Sequence, residues 1–180
     1  MELHIYPVIN NYGLKYNTTD PYKFLRSNEK GINYNSGWGV NTSKKCIEVM
    51  LVEEDIKKIQ SNRKVRLVLS LHEDSTSIGK GYIWTNALGT KLRRSIQDKL
   101  KSKIDKKLLT NMKENEVQGG KVEVGFTIVD AQDVGSFENW LAEDLKIPVV
   151  LSESPFGLSL ATRKKFHIRI IEASLSSIVT

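Results

Sequence analysis

The chain has 180 residues, of which 39% are hydrophobic and 27% are charged, and this is long enough to bury an adequate core. No apolar run in the sequence approaches the ~20 residues of a membrane helix, and none resembles a secretory leader. The single cysteine, Cys46, excludes an intramolecular disulfide framework. These features predict one domain over residues 1–180 in the reducing cytoplasm, without a membrane partner.

The formal net charge of +6 favours an acidic partner such as nucleic acid. Positive charge is concentrated between residues 85 and 113, where nine Lys and Arg residues are balanced by two Asp residues. Lysines on a solvated helix face would give the same composition. The charge alone therefore leaves nucleic-acid binding and an ordinary protein surface about equally open.

The first half of the chain predicts strands joined by polar loops. Residues 2–9 and 46–52 have strand patterns, and residues 53–60 predict a short helix because their acids precede their lysines, as the helix dipole favours. Alternation over residues 65–71 predicts a strand, and residues 81–85 predict its hairpin partner.

The second half adds helices and further strands. Residues 96–112 predict a helix from apolar residues four apart, and residues 136–145 predict an amphipathic helix capped by Ser136. The remaining strand patterns cover residues 121–129, 148–151, 158–161 and 166–171. Because strands and helices do not alternate regularly, we expect a β-rich α+β fold, an open barrel of about seven mostly antiparallel strands with two or three helices.

Catalytic patterns are absent from the sequence. His4, His72 and His167 lie far apart without the spacing of metal ligands, so each is expected to be an ordinary strand or loop residue. Cys46 precedes an apolar segment and is expected to be a core residue. We therefore expect no catalytic residue and no metal site in this segment.

A degenerate GIY-YIG nuclease is an alternative. Residues 77–81, then Arg93 or Arg94, then Glu138 loosely follow the order of motifs in that family. Its two tyrosine positions are occupied here by Leu67 and Ser77, neither of which can replace a phenol in proton transfer.

Two polar segments, residues 25–39 and 82–95, carry side chains suited to DNA. Arginine can bond guanine, asparagine can bond adenine, and phosphates accept from Lys, Arg, hydroxyl and backbone N–H groups. The candidate DNA-binding residues are Asn28, Glu29, Lys30, Asn33, Tyr34, Asn35, Trp38, Trp84, Asn86, Thr90, Lys91, Arg93 and Arg94.

In the order of its motifs the chain resembles the N-terminal effector domain of the EcoRII restriction endonuclease, with relatives in UbaLAI and BfiI. These domains share the DNA-binding pseudobarrel of the plant B-three transcription factors. The motifs that carry the likeness are Leu25, Asn28, Glu29 and Gly31 in one arm, the basic segment 89–96, the V-E-V strand at 122–124, and residues 157–160.

The resemblance implies sequence-specific binding of double-stranded DNA by a monomer, through arms at residues 28–38 and 86–94 that enter the major groove. It implies no cofactor for this domain, while a C-terminal nuclease domain of the same chain would cut DNA with Mg²⁺. The implied target resembles CC(A/T)GG, although Leu92 stands near a position where EcoRII has an acidic residue, which leaves the base readout open. A general nucleic-acid-binding module is a further alternative.

Overall fold

The computed structural model divides the chain into two compact units. The first unit comprises Met1–Lys64 with Asp133–Trp140, and the second comprises Val65–Gln132 with Leu141–Thr180. The structure describes residues 2–7, 9–11, 13, 27–40, 45–74, 79–86, 90–109, 121–123, 126–128 and 134–179. The expectation that residues 1–180 act as one domain stays a prediction.

The second unit is built on a five-stranded mixed sheet. The strands are β1 (Val68–Asp74), β2 (Tyr82–Asn86), β3 (Lys121–Glu123), β4 (Phe126–Ile128) and β5 (Val149–Pro155), in the order β1-β5-β2-β4-β3. β5 pairs parallel with β1 and antiparallel with β2, while β4 pairs parallel with β2 and antiparallel with β3. Every residue of β5, which is paired on both sides, is buried.

Two helices contribute to the core of the second unit. The α2 helix (Thr90–Lys101) contacts the α4 helix (Leu160–Ile178), and α4 packs against β5. A short 3-10 turn, Lys106–Leu108, follows α2. The buried core side chains are Ile83, Ile96, Leu100, Ile104, Leu109, Val150, Phe166, Ile170 and Ala173. The core residues of α2 and of α4 are spaced three or four apart, which places them on one face of each helix, while Ile83 and Val150 come from β2 and β5.

The first unit contains the α1 helix (Ile47–Asn62) and the helical turn α3 (Phe137–Asn139). Trp38 is buried, with its ring centroid 4.6 Å from that of Phe137 and 5.6 Å from that of Trp140. Its indole Nε1 donates to the carbonyl of Tyr34 at 2.8 Å. Ser136 caps α3 through its hydroxyl, as its position before the amphipathic segment predicts. The π-helical turn Trp140–Asp144 then continues the chain into the second unit.

Among the described residues, no helix combines the length and apolar character that a bilayer crossing requires. The cytoplasmic location stays a prediction.

The seven-stranded pseudobarrel prediction is wrong, because the described strands form an open mixed sheet of five. Strand patterns at 65–71, 81–85 and 148–151 correspond to β1, β2 and β5. However, β1 and β2 do not form a hairpin, because β5 lies between them. A long-range strand of this kind cannot be read from local alternation.

Three predicted strands are wholly or partly helical. Residues 47–52 belong to α1. Its buried positions, Val49, Glu53 and Ile56, have a helical spacing, but one of them is an acid, so the apolar pattern is incomplete. The predicted strands at 158–161 and 166–171 lie largely within α4. The strand prediction arose because residues 166–170 read F-H-I-R-I, an apolar–polar alternation that a strand would also show, whereas the buried positions Phe166, Ile170 and Ala173 follow a helical spacing. Residues 2–7 and 9, predicted as a strand, have no strand assignment.

A buried carboxylate holds the first unit together locally. Both oxygens of Glu53 lie 2.8 Å from Nζ of Lys45, and Oε1 also accepts from the backbone N–H of Gly39 at 2.7 Å. The Lys45 and Glu53 side chains are 11% and 7% exposed. A buried ion pair of this kind is costly to break by removing one partner.

We therefore expect Glu53→Gln to lower the free energy of unfolding by about 3 kcal/mol, because the Lys45 ammonium loses its counter-charge. Urea denaturation followed by tryptophan fluorescence measures this loss. The matched control is Glu54→Gln, an exposed neighbour on the same helix, which should change stability by less than about 0.5 kcal/mol. Equal effects of the two substitutions would contradict the structural role of Glu53.

Candidate functional site

Polar side chains gather at the carboxyl ends of β1 and β5 in the second unit. Because the strands are parallel neighbours, their register pairs His72 with Glu153 and Glu73 with Ser154. Successive side chains of a strand point to opposite faces of the sheet. The polar groups therefore divide into two sets, one on each face.

Ser70, His72 and Glu153 form the first set, which we call the His72 row. Oγ of Ser70 lies 2.8 Å from Nε2 of His72, and Nδ1 of His72 lies 3.7 Å from Oε1 of Glu153. The His72 side chain is 36% exposed, whereas that of Glu153 is 10% exposed. The row thus joins an imidazole within reach of solvent to a carboxylate that is largely shielded from it.

Glu73, Ser154 and Arg163 form the second set, on the face against α4. Nη1 of Arg163 lies 2.5 Å from both carboxylate oxygens of Glu73, and Oγ of Ser154 donates to Oε1 of Glu73 at 2.8 Å. Arg163 lies in the first turn of α4. This ion pair therefore ties the end of β1 to β5 and to the start of α4.

His167 lies one turn further along α4. Its Nδ1 is 3.0 Å from Oγ of Ser152, a fully buried residue of β5. Burial lowers the pKa of His167 from its ordinary value, and the nearby Glu73 carboxylate opposes that effect in part. The ring is therefore neutral at neutral pH and serves to hold α4 on the sheet.

Gly81 allows β2 to approach the carboxyl end of β5. A Cβ atom at this position would lie 2.5 Å from the carbonyl oxygen of Glu153 and 2.7 Å from Cζ of Phe166. No side chain can occupy that space without displacing backbone. The backbone of Glu153 is therefore held closely on both sides, by β1 and by β2.

An imidazole and a carboxylate are ligand types that zinc accepts. In the part of the chain that the structure describes, however, no three His, Cys, Asp or Glu side chains come close enough together to hold a metal ion. A catalytic zinc ion normally has three protein ligands. His72 and Glu153 match the chemistry of such a site, but the described residues do not complete it.

Some polar side chains of the predicted N-terminal arm form hydrogen bonds within the chain. Asn28 is buried, and its Oδ1 accepts from the backbone N–H groups of Lys30 and Ile32 at 2.9 and 3.0 Å. Glu29 and Lys30 have exposed side chains. Asn28 thus shapes a local turn, as asparagine commonly does.

The other residues of this arm also have internal contacts. Oδ1 of Asn33 accepts from the backbone N–H of Asn35, and the hydroxyl of Tyr34 donates to Glu48 at 2.9 Å. Trp38 belongs to the aromatic core of the first unit. The asparagine side chains of this segment therefore stabilise its turns.

The predicted C-terminal arm is not an arm in its described part. Trp84 and Asn86 belong to β2, whereas Thr90, Lys91, Arg93 and Arg94 lie in the first turns of α2. Residues 87–89 lie outside the described residues. The segment is helical because Leu92, Ile96 and Leu100, four residues apart, pack into the core, while Lys91 and Arg94 are exposed.

Sequence reasoning missed the His72 row and the Glu73 pair. The partners are far apart in sequence, since Glu73 and Ser154 are separated by 81 residues. One signal could have found them: the alternating pattern of β1 ends directly in His72-Glu73-Asp74. Titratable residues at the end of a buried strand are typical of functional sites in mixed and parallel sheets.

Comparison with known proteins gives structural neighbours only, because no family model and no curated protein matches the chain. The neighbours include three crystal structures, each of a protein named a "putative metallopeptidase", from Shewanella amazonensis, Shewanella denitrificans and Shewanella baltica. The TM-scores are 0.68, 0.66 and 0.69, and the sequence identities are 19%, 19% and 17%. The alignments cover 94% of this chain but only 61%, 58% and 61% of those proteins. At these identities the likeness shows the fold alone.

These neighbours overturn the expected membership of the EcoRII-type effector domains. The expectation of sequence-specific DNA binding, with a CC(A/T)GG target and a restriction-endonuclease role, is wrong, and the GIY-YIG alternative has no support either. The physical reason is that turn-forming amides and a basic helix face have the same composition as DNA-binding arms. The expected monomeric state stays a prediction.

We expect Arg163→Met to lower the free energy of unfolding by about 2 kcal/mol, because it leaves the Glu73 carboxylate without its counter-charge. The loss should be smaller than for a fully buried pair, since the Glu73 side chain remains 24% exposed. Urea denaturation measures it. Lys165→Met, at an exposed position of the same helix, is the matched control and should be nearly neutral. The role of the ion pair is disproved if both variants are equally stable.

The lowered pKa of His167 predicts a pH dependence of stability. An unfolded histidine takes up a proton below about pH 6.5, whereas the buried ring resists it. The stabilisation is therefore fully present above about pH 6.5 and is lost as the pH falls toward the lower pKa of the folded chain. Urea denaturation between about pH 5 and 7.5 should show this slope. His167→Asn should flatten it and His4→Asn, at an exposed position, should not; an unchanged slope in His167→Asn would refute the assignment.

Proposed function

We propose that this chain carries part of the active site of a metal-dependent peptidase, with His72 as a metal ligand and Glu153 as the general base. The observation that carries the proposal is the 3.7 Å approach of His72 Nδ1 to Glu153 Oε1 at the carboxyl ends of two parallel strands. The shared fold with the three Shewanella proteins supports it.

His72 suits the role of a ligand because a neutral imidazole is the commonest protein ligand of zinc. When bound, such a metal ion would polarise the scissile carbonyl and lower the pKa of its water. In the described part of the chain, no group of three His, Cys, Asp or Glu side chains that could hold a metal ion is present. This proposal departs from the sequence-based expectation that the chain needs no cofactor.

Glu153 suits the role of a general base because its carboxylate is shielded from bulk water and lies beside His72. A carboxylate in this setting can accept a proton from water and return it to the departing amine. The position of Glu153 is rigid, because β5 is paired on both sides and Gly81 allows β2 to lie against the Glu153 backbone. Rigid placement is what acid–base catalysis requires of such a group.

Zinc binding to the full chain at neutral pH, measured by competition with a chromophoric chelator, tests the role of His72. We expect binding that weakens at least about tenfold in His72→Ala, because one ligand is lost. His4→Ala, at an exposed position in the first unit, should bind zinc like the wild type. Zinc binding that is absent, or that His72→Ala leaves unchanged, would rule out His72 as a ligand.

Hydrolysis of a mixed peptide library in the presence of zinc tests the role of Glu153. We expect Glu153→Gln to lower the rate by about a hundredfold or more, because the amide cannot accept the proton. Glu143→Gln, an exposed residue of the same unit, is the control. A wild-type rate in Glu153→Gln, or no hydrolysis by the wild-type chain, would count against the proposal.

A further inference from the structure

The outer edge of β1 is one end of the five-stranded sheet. β1 pairs with β5 on one side only, and β3 is the strand at the opposite edge. The N–H of Val68 donates to the carbonyl of Pro148 at 2.9 Å, so the backbone of Val68 faces β5. Backbone groups alternate in direction along a strand. The N–H and C=O groups of Leu69, Leu71 and Glu73 therefore point away from β5, to the outer edge.

This edge of the sheet has little protection against a further strand. In the part of the chain that the structure describes, no hydrogen bond reaches the outward backbone groups of Leu69, Leu71 and Glu73. The Leu71 side chain is 45% exposed, so solvent reaches the strand there. Natural sheets protect their edges by short strands, proline, lysine or a covering segment. β3 has only three residues, whereas β1 has seven and contains neither proline nor lysine.

We propose that the outer edge of β1 binds a peptide in extended conformation, which adds a strand to the sheet through backbone hydrogen bonds. That the bound peptide is a substrate rests on the proposed function, whereas its docking does not. Addition of a strand to a sheet edge is a recurring mode of peptide recognition. Only a segment of several residues can pair with Leu69, Leu71 and Glu73 together. The ligand is therefore an extended polypeptide segment and not a di- or tripeptide.

A peptide docked on this edge passes beside the candidate site. His72 lies on β1 itself, between Leu71 and Glu73, and its side chain is 36% exposed. In an antiparallel pair, the Cβ atoms of directly opposite residues lie about 4.5–5.5 Å apart. The peptide residue opposite His72 is therefore within reach of the imidazole. The edge thus supplies the positioning of an extended chain that the proposed function requires.

The residues along the edge favour a peptide over a second copy of this chain. A two-fold antiparallel pairing of β1 with itself that joins the outward groups places Glu73 opposite an apolar residue or the second Glu73. Such a pairing leaves the carboxylate without a cation across the strands, or opposes two like charges. A peptide of a different sequence can place an apolar residue opposite Leu71 and a basic residue opposite Glu73. The fitting occupant is therefore a segment with a basic residue followed, at the next position on the same face, by an apolar one.

Fluorescence anisotropy with a labelled peptide that spans β1 tests the docking. Its central order is lysine, serine, valine, serine, valine, which places the lysine opposite Glu73 and the first valine opposite Leu71. Methylation of the lysine and valine backbone nitrogens should weaken binding at least about tenfold, because these N–H groups donate to β1. Methylation of the two serine nitrogens, which face away from β1, should change the affinity less than about twofold. Equal effects of the two patterns, or no binding of the unmethylated peptide, overturn the proposal.

Leu71→Pro tests the same edge from the side of the protein. The substitution removes one outward N–H, and an edge strand tolerates proline where its N–H faces solvent. We expect it to weaken peptide binding at least about tenfold, whereas Leu71→Val, which keeps the N–H, should bind within about threefold of the wild type. Urea denaturation checks that both variants fold. If Leu71→Pro does not fold, the exchange measurement below decides without any substitution. Unchanged binding in a folded Leu71→Pro variant overturns the proposal.

Amide hydrogen exchange of the wild-type chain locates the bound peptide. Without peptide, we expect the amides of Leu69, Leu71 and Glu73 to exchange quickly, and those of Ser70 and His72, which face β5, to be protected. Saturating peptide should slow the first set. Protection of that set in the monomeric chain alone would mean that the chain covers its own edge. Protection that rises with protein concentration would identify a second copy as the occupant. Either result overturns the proposal.

Cleavage of the same peptide separates this proposal from the proposed function. Docking with the expected methylation pattern, but no cleavage when zinc is present, overturns the proposed function alone. Cleavage of the peptide without the methylation pattern overturns the docking on β1 and leaves the proposed function standing.

Discussion

The candidate site depends on the parallel pairing of β1 with β5. Parallel strands end at the same edge of a sheet, so their last residues meet even when they are distant in the chain. Here this register places His72 beside Glu153 and Glu73 beside Ser154, across 81 residues of sequence. β2 fixes the other side of β5, and Gly81 permits its close approach. The backbone of Glu153 is therefore paired on both sides.

Because side chains alternate along each strand, the two faces of the sheet carry different polar groups. On one face the Glu73–Arg163 ion pair and the Ser152–His167 contact anchor α4 to the sheet. On the other face the His72 row leaves an imidazole partly exposed beside a shielded carboxylate. Adjacent residues of one strand can thus serve stability and chemistry separately, because their side chains do not share an environment.

Local pattern predicted part of this architecture and misled in identifiable places. The alternation of β1 and the Ser136 cap of α3 are local features, and both were predicted. The first half of α4 was predicted as strands because residues 166–170 read F-H-I-R-I, an apolar–polar alternation that is typical of a strand. The basic start of α2 was interpreted as a DNA-binding arm, although Leu92 and Ile96 pack inward and make it an ordinary amphipathic helix. Composition cannot distinguish a DNA-binding arm from an amphipathic helix with a basic face, since both contain the same types of residue.

The sequence by itself determined which segments alternate or carry caps, where the positive charge lies, and that β1 ends in His72 and Glu73. These properties depend on neighbours within a few residues. Only the tertiary structure decided that β5 inserts between β1 and β2, that Arg163 rather than a nearer cation pairs with Glu73, and that Glu153 faces His72. The physical reason is that strand order and register are set by burial of whole faces against each other, a balance of long-range contacts that no local pattern encodes.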